Sequence, residues 1–235
     1  MDKGEFLSLI KNQLIVSSQA YPGDSLYGSD VMAKMSLAAK EGGAVAIRAN
    51  GRDDIIAIKK STKLPTIGIV KRKYKDSEVY ITPTLREVTE LIDSGTEVIA
   101  LDATKRDRPN KSSLRDLITY IKKNSDILVM GDVSTVTEGV AAIEDGCDFV
   151  STTLSGYTSY SRSLDGPDFT LIEELTLYPH ITVIAEGKIS TPEDVLHAYS
   201  KGAHSVVVGT AITRPEVITS RFVKAIKRMR TLKKS

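Results

Sequence analysis

Short runs of apolar, β-branched residues recur along the chain and alternate with longer segments that carry apolar residues at three- and four-residue spacing. Several short runs are continuously apolar, which is typical of parallel strands covered on both faces. The longer segments carry helix start signals, such as Thr135 followed three residues later by Glu138, and they end on glycine. The pattern predicts eight strands, at residues 14–20, 44–50, 65–71, 97–104, 127–134, 149–156, 182–189 and 205–212.

A unit of helix, glycine, short turn and strand repeats, as in "EGGAVAI", "SGTEVIAL", "EDGCDFV" and "KGAHSVVV". The strand starts average under about 30 residues apart, without a long linker. Eight such units predict an α/β fold of the (β/α)8 or TIM-barrel type, formed by residues 1–235 as a single domain. A doubly wound open sheet is the alternative. It would not explain eight repeats, and "SSQAYPGDSLYG" lacks the Gly-rich GxGxxG turn that such sheets normally carry.

Charge and cysteine content narrow the function classes. The chain has 32 Lys and Arg residues against 30 Asp and Glu residues, a balance that argues against extensive nucleic-acid binding. Cys147 is the single cysteine, so no internal disulfide can form, which suits a reducing compartment. No apolar run is long enough for a signal peptide or a membrane span. We therefore predict a cytoplasmic protein that binds neither nucleic acid nor membrane.

Polar residues collect where the predicted strands end, which is the rim that carries the active site in barrel enzymes. This rim combines cations with carboxylates, and Lys71 is placed at the exit of an otherwise apolar strand. The combination predicts chemistry on a polar, anionic small molecule. The rim residues are Gln19, Arg48, Asn50, Lys71, Asp102, Thr104, Asp132, Ser134, Thr152, Thr153, Ser155, Glu186, Lys188, Gly209 and Thr210.

The loops after the seventh and eighth strands indicate a phosphate site. "AEGKIS" supplies Gly187 and Lys188, and "VVGTAITRP" supplies Gly209 and Thr210, at the usual phosphate position of this fold. Backbone N–H groups of such turns can approach an anion, and Arg214 can add a charge-assisted donor. The alternative is that the glycines only permit tight turns.

Metals and cofactors are not expected. His180, His197 and His204 all fall away from the predicted rim, so a transition-metal centre lacks its usual ligands. A Mg²⁺ site made by Asp102 and Asp132 is a weaker alternative. No flavin or nicotinamide motif is present.

Taken together, the blocks "AIRANG", "ALDATKR", "TTLSGYT" and "AEGKI" closely resemble the bacterial N-acetylmannosamine-6-phosphate 2-epimerases, and the resemblance runs in order from the first strand to the final helix. It implies cofactor-free interconversion of N-acetylmannosamine 6-phosphate and N-acetylglucosamine 6-phosphate in sialic acid catabolism, by a homodimer. Matched residue by residue, it implies catalysis by Lys71 and Glu186, sugar binding by Gln19, Arg48 and Asp132, and phosphate binding by Arg214.

This activity assigns chemical roles to the rim. Epimerisation at C2 removes a carbon-bound proton, which is acidic only when ring opening has made C1 an aldehyde. We assign ring opening to Glu186 as a general acid–base group and C2 deprotonation to Lys71, whose neutral form is favoured by desolvation. Gln19 or Arg48 would stabilise the enolate oxygen.

Three points stay open at this stage. Lys71 could serve both faces of C2, or a second acid such as Asp132 could serve one of them. A Schiff-base aldolase using Lys71, or another isomerase acting on a phosphorylated sugar, is a rival enzyme on the same scaffold. A catalytically silent sugar-phosphate sensor is a rival of a different class, although a pure binder needs no base at C2.

Overall fold

The computed structural model describes residues 1–232, in which eight parallel strands close into a barrel in sequence order. Each strand pairs with the next one, and the last pairs with the first. The predicted TIM barrel is confirmed, and the open sheet is excluded because a closed barrel has no edge strands. Residues 233–235 of the predicted domain lie outside the described part. The strands are β1 (Leu14–Ser18), β2 (Ala46–Asn50), β3 (Thr66–Ile69), β4 (Val98–Asp102), β5 (Leu128–Asp132), β6 (Phe149–Ser151), β7 (Val183–Ala185) and β8 (Ser205–Val208).

Helices separate the strands and cover the outside of the barrel. The predicted capping box at Thr135 and Glu138 is present, since the side chain of each accepts the other's backbone N–H. Among residues 1–232, no helix is long and apolar enough to cross a membrane. The helices of this part are α1 (Lys3–Ile10), α2 (Ser29–Glu41), α3 (Arg52–Thr62), α4 (Leu85–Ser94), α5 (Leu114–Asn124), α6 (Val136–Glu144), α7 (Phe169–Thr176), α8 (Pro192–Ser200), α9 (Thr210–Thr213) and α10 (Pro215–Leu232), with a 3₁₀ turn at Pro109–Lys111.

Alternation of side chains divides the core into an inner and an outer layer. Ile67, Met130 and Val207 belong to a buried cluster inside the barrel. Their neighbours in sequence, such as Val129 and Val206, belong to the cluster between strands and helices. Because both layers exclude water, the residues on both faces of the strands are mostly apolar, and the strand sequences therefore contain continuous apolar runs.

Helix α1, which sequence analysis did not predict, closes the amino-terminal end of the barrel. Phe6 stacks on Phe149, the first residue of β6, with ring centroids 5.7 Å apart, and both side chains are fully buried. Asp2 and Glu5 form a capping box that starts the helix. Because α1 closes this end, a ligand-sized cavity can open only at the opposite rim, where the strands have their carboxyl ends.

Several strands end earlier than predicted. The third was predicted to reach residue 71, yet β3 ends at Ile69, and β7 ends at Ala185 rather than at residue 189. Beyond these points the chain leaves the ladder to build the rim. The backbone N–H of Lys71, for example, donates to the side-chain oxygen of Asn50 at 2.8 Å.

Candidate active site

The inward-facing side chains change from apolar to polar toward the carboxyl ends of the strands. On β2 the interior position after Ala46 is Arg48, and on β5 the position after Met130 is Asp132. Glu186 directly follows β7. The period of two that builds the inner core therefore also aims these charged groups at the barrel axis.

One buried arginine lies between two carboxylates. Arg48 is 1% exposed, and its Nη1 and Nη2 donate to the two carboxylate oxygens of Asp132 at 3.0 and 2.5 Å. Arg48 Nη1 also donates to Glu186 Oε2 at 2.5 Å. The Thr153 hydroxyl donates to Asp132 at 2.7 Å and lies 3.2 Å from Glu186 Oε2. The single positive charge of Arg48 is thus shared between two carboxyl groups.

This sharing changes the protonation of Glu186. Burial raises the pKa of its carboxyl, and the charge of Asp132 raises the pKa further, while Arg48 and Lys71 lower it. The net direction is upward, so Glu186 keeps its proton to a higher pH than an ordinary glutamate. Arg48 stays charged, because its two anionic partners outweigh burial and raise the pKa of the guanidinium.

A cavity of about 570 Å³ opens above this cluster and includes Lys71 in its wall. Lys71 Nζ donates to the phenol oxygen of Tyr21 at 2.7 Å. None of the ion pairs found within residues 1–232 involves Lys71. The amine is therefore held near Glu186 without a direct carboxylate contact.

Two buried polar atoms of the cavity wall have no hydrogen-bond partner within the described chain. They are Oε1 of Gln19 and Nε of Arg48. The amide nitrogen of Gln19 donates to Ser17 Oγ at 2.6 Å, which fixes the plane of the amide. Buried polar groups are normally hydrogen-bonded, so these atoms are candidate contacts for a polar ligand.

The predicted phosphate loops line the same cavity. Gly187 has a φ of 109°, a left-handed conformation that favours glycine. The ammonium of Lys188 donates to the backbone carbonyl of Leu164 at 2.5 Å. Arg214 Nε donates to Glu216 at 2.6 Å.

All predicted site residues line the cavity except Asp132. Asp132 is fully buried at the end of β5, where Arg48 covers it. Its carboxylate holds the Arg48 guanidinium in place. Tyr21 and Tyr80 also line the cavity. The sequence pattern predicts no role for them, because loop residues follow no strand periodicity.

The neighbouring buried aspartate, Asp102, is also neutralised by an arginine. It accepts from Arg106 Nη2 at 2.6 Å and from the backbone N–H and hydroxyl of Thr104. With Asp132 bound to Arg48 in the same way, neither carboxylate is free to ligate a cation. The residues therefore do not favour the Mg²⁺ alternative at Asp102 and Asp132.

Comparison with known proteins agrees with this geometry. Residues 32–228 match the family model described as "Putative N-acetylmannosamine-6-phosphate epimerase". The chain belongs to this family. It is 56% identical over 220 residues to the "Putative N-acetylmannosamine-6-phosphate 2-epimerase" of Clostridioides difficile strain 630, covering 94% of this chain and 98% of that protein. It is 50% identical to the protein of the same description from Caldanaerobacter subterraneus, covering 96% of each.

Solved structures extend the comparison for this epimerase-family chain. The N-acetylmannosamine-6-phosphate 2-epimerase from Clostridium perfringens superposes with a TM-score of 0.91 at 52% identity, covering 94% of this chain and 96% of that one. Thiamine phosphate pyrophosphorylase from Pyrococcus furiosus, at 14% identity and a TM-score of 0.59, shares the fold alone. The family predicted from the sequence blocks is confirmed.

Replacing Arg48 by Met tests the charge cluster. The variant leaves Asp132 buried without its cation, and breaking a buried pair in this way costs about 3–5 kcal/mol of the free energy of unfolding. The double variant Arg48→Met/Asp132→Leu should recover part of that loss, because the stranded charge is gone. Denaturant unfolding measures both.

The control is Arg115→Met, which removes an ion pair between Arg115 and Asp145 on the surface and should cost at most about 1 kcal/mol. If Arg48→Met cost no more than this control, or if the double variant were as unstable as the single one, the buried cluster would not have the energetics described.

Proposed function

We propose that this chain interconverts N-acetylmannosamine 6-phosphate and N-acetylglucosamine 6-phosphate. Its family membership supports the substrate pair. The observation that carries the proposal is that one cavity brings together the Lys71 amine, the Glu186 carboxyl and the two phosphate loops. Ring opening and C2 proton transfer are acid–base steps that these groups can perform without a cofactor.

Ring opening is assigned to Glu186. A carboxyl that holds its proton to higher pH can donate it to the ring oxygen and take a proton from the C1 hydroxyl. The upward direction of its pKa therefore suits the assigned step. Arg48 fixes one carboxylate oxygen, Oε2, and the other remains available to the sugar.

Removal of the C2 proton is assigned to Lys71. The aldehyde oxygen becomes an enolate oxygen in this step, and the Arg48 guanidinium at the cavity wall can stabilise its charge. Asp132 is not assigned as the acid for the second face of C2, because it is buried behind Arg48. In this scheme Glu186, whose side chain lines the cavity, is the group that faces Lys71 across the sugar.

The phosphate group is assigned to the backbone at Gly187–Lys188 and Gly209–Thr210, with Arg214 at the edge. Arg214 is paired with Glu216 and lies 3.6 Å from Asp24, so its charge is already shared by two carboxylates. A dianionic phosphate would compete with both. Its binding would thus reorganise contacts at the edge of the cavity.

Hydrogen exchange at C2 tests the reaction. In deuterated water, the wild-type protein should incorporate deuterium at C2 of either sugar phosphate, as measured by NMR. Lys71→Ala should slow the exchange about 10²- to 10⁴-fold because the base is missing, while the sugar phosphate still binds. Lys73→Ala, an exposed lysine of the same segment, is the matched control and should exchange at the wild-type rate.

Unchanged exchange in Lys71→Ala would remove Lys71 from the mechanism. The rival Schiff-base aldolase is tested in the same preparation. Borohydride added with substrate would trap a covalent adduct on Lys71 in an aldolase, detectable by mass spectrometry of the peptide. A lysine that acts as a base gives no adduct.

The homodimer is proposed to form through the final helix. One side of α10 exposes Phe222, Ile226 and Met229, which are 69%, 49% and 49% exposed and are spaced four and three residues apart. An apolar stripe of this kind commonly marks a protein–protein contact. A second copy of the chain would bury it against its own stripe, as an isologous dimer requires.

Sedimentation velocity checks this assembly. The wild-type chain should sediment as a dimer, and Phe222→Glu should sediment as a monomer because a charge replaces the apolar centre of the stripe. Leu177→Glu, at a leucine that is 75% exposed elsewhere, should remain dimeric. A monomeric wild-type chain would contradict the proposal.

Two further proposals concern the whole chain. Residues 1–235 are proposed to act as one domain, supported by a barrel that uses elements from α1 to α10. A cytoplasmic location suits the single cysteine, Cys147, whose thiol is buried and has its pKa raised to about 12 by that burial. Limited proteolysis and cell fractionation check these two points.

A further inference from the structure

We propose that Tyr21 is a positioning residue that holds the amine of Lys71 in the site. The inference rests on the proposed function, in which Lys71 removes the C2 proton. Lys71 Nζ donates to the Tyr21 phenol oxygen at 2.7 Å and lies 5.3 Å from the centroid of the ring. Both residues line the cavity, so the contact is made inside the site.

Lys71 needs such a partner because of where it lies. It follows the end of β3 by two residues, so its long side chain extends from the strand into the open cavity. A free lysine side chain samples many rotamers, and proton transfer requires close alignment with C2. A fixed hydrogen-bond acceptor beside Nζ reduces the rotamers that the amine can visit.

A phenol suits this task better than a carboxylate would. A carboxylate beside the amine would favour the protonated form, which cannot act as a base. The neutral phenol oxygen adds no such charge. It can accept an N–H from the ammonium, and beside the neutral amine it can either accept an N–H or donate its own O–H to the nitrogen. The contact therefore survives both protonation states of Lys71.

The turn that carries Tyr21 is itself fixed. The Tyr21 backbone N–H donates to Asp24 Oδ2 at 2.9 Å, and the Asp24 N–H donates to the Tyr21 carbonyl at 2.9 Å. The same Asp24 oxygen lies 3.6 Å from Arg214 Nη2. These reciprocal bonds hold the turn that carries the phenol, although Tyr21 belongs to a loop, and they do not involve Arg214.

Tyr21→Phe tests the positioning role, because it removes the phenol oxygen and keeps the ring. We expect kcat to fall about tenfold, since misplacing a reacting group by 1 Å costs up to about 10²-fold, with KM within about twofold of wild type. Tyr27→Phe is the matched control in the same loop. Tyr27 is 56% exposed and does not line the cavity, so both constants should be unchanged.

A second measurement follows the chemical reactivity of the Lys71 amine directly. In the free protein, the rate at which an amine-reactive acylating reagent labels Lys71 is followed by mass spectrometry of peptides. Tyr21→Phe should raise this rate several-fold because Nζ loses its hydrogen-bonded partner. Labelling of the exposed Lys73 should not change, which provides an internal reference.

The proposal is overturned if Tyr21→Phe leaves both kcat and Lys71 labelling as in wild type, or if it raises KM alone, which would make Tyr21 a sugar contact. Failure of the proposed function looks different. In that case the wild-type protein shows no C2 exchange with either sugar phosphate. The labelling rate of Lys71 then still decides whether Tyr21 holds the amine.

Discussion

One guanidinium shared by two carboxylates is the interaction on which the site depends. Arg48 from β2 reaches across the barrel to Asp132 at the end of β5 and to Glu186 after β7. Burying these three charges is costly, and the closed geometry offsets that cost by giving each carboxylate a charge-assisted hydrogen bond. Burial first, and then the negative charge of Asp132, raise the pKa of Glu186, while Arg48 lowers it. The cluster that links three strands therefore also influences the protonation of the proposed acid.

The two proposed catalytic groups, Glu186 and Lys71, lie in different environments. Glu186 lies at the floor with 13% of its side chain exposed, against a second carboxylate. Lys71 lies in the wall, where its contact is a neutral phenol. When two titratable groups of one cavity have such different surroundings, one of them can act as the proton donor and the other as the proton acceptor. The Gln19 amide and the loops proposed to bind phosphate line the same cavity.

Much of this could be predicted from the chain, for physical reasons. Strand alternation placed Arg48, Asp132 and Glu186 on one rim, because the period of two persists to the strand ends. Which of them touch could not be predicted, since contacts across the barrel depend on closure and register. Asp132 illustrates the limit. It was expected on the rim as a sugar contact, and the structure shows Arg48 covering its carboxylate, a contact that strand alternation does not encode. The contact of Tyr21 with Lys71 and that of the Lys188 ammonium with the Leu164 carbonyl depend on loop conformations, which no sequence periodicity encodes.

The ionisation of Glu186 is the most direct test of this account. Its carboxyl can be followed by NMR with ¹³C-labelled glutamate, and Glu186→Gln assigns the signal. We expect its pKa above the ordinary value of about 4.3, and a lower pKa in Asp132→Asn, where the neighbouring negative charge is gone. Asp102→Asn, at the aspartate paired with Arg106, should have a smaller effect. A Glu186 pKa at or below the ordinary value, or one that rises in Asp132→Asn, would contradict the shared-guanidinium account.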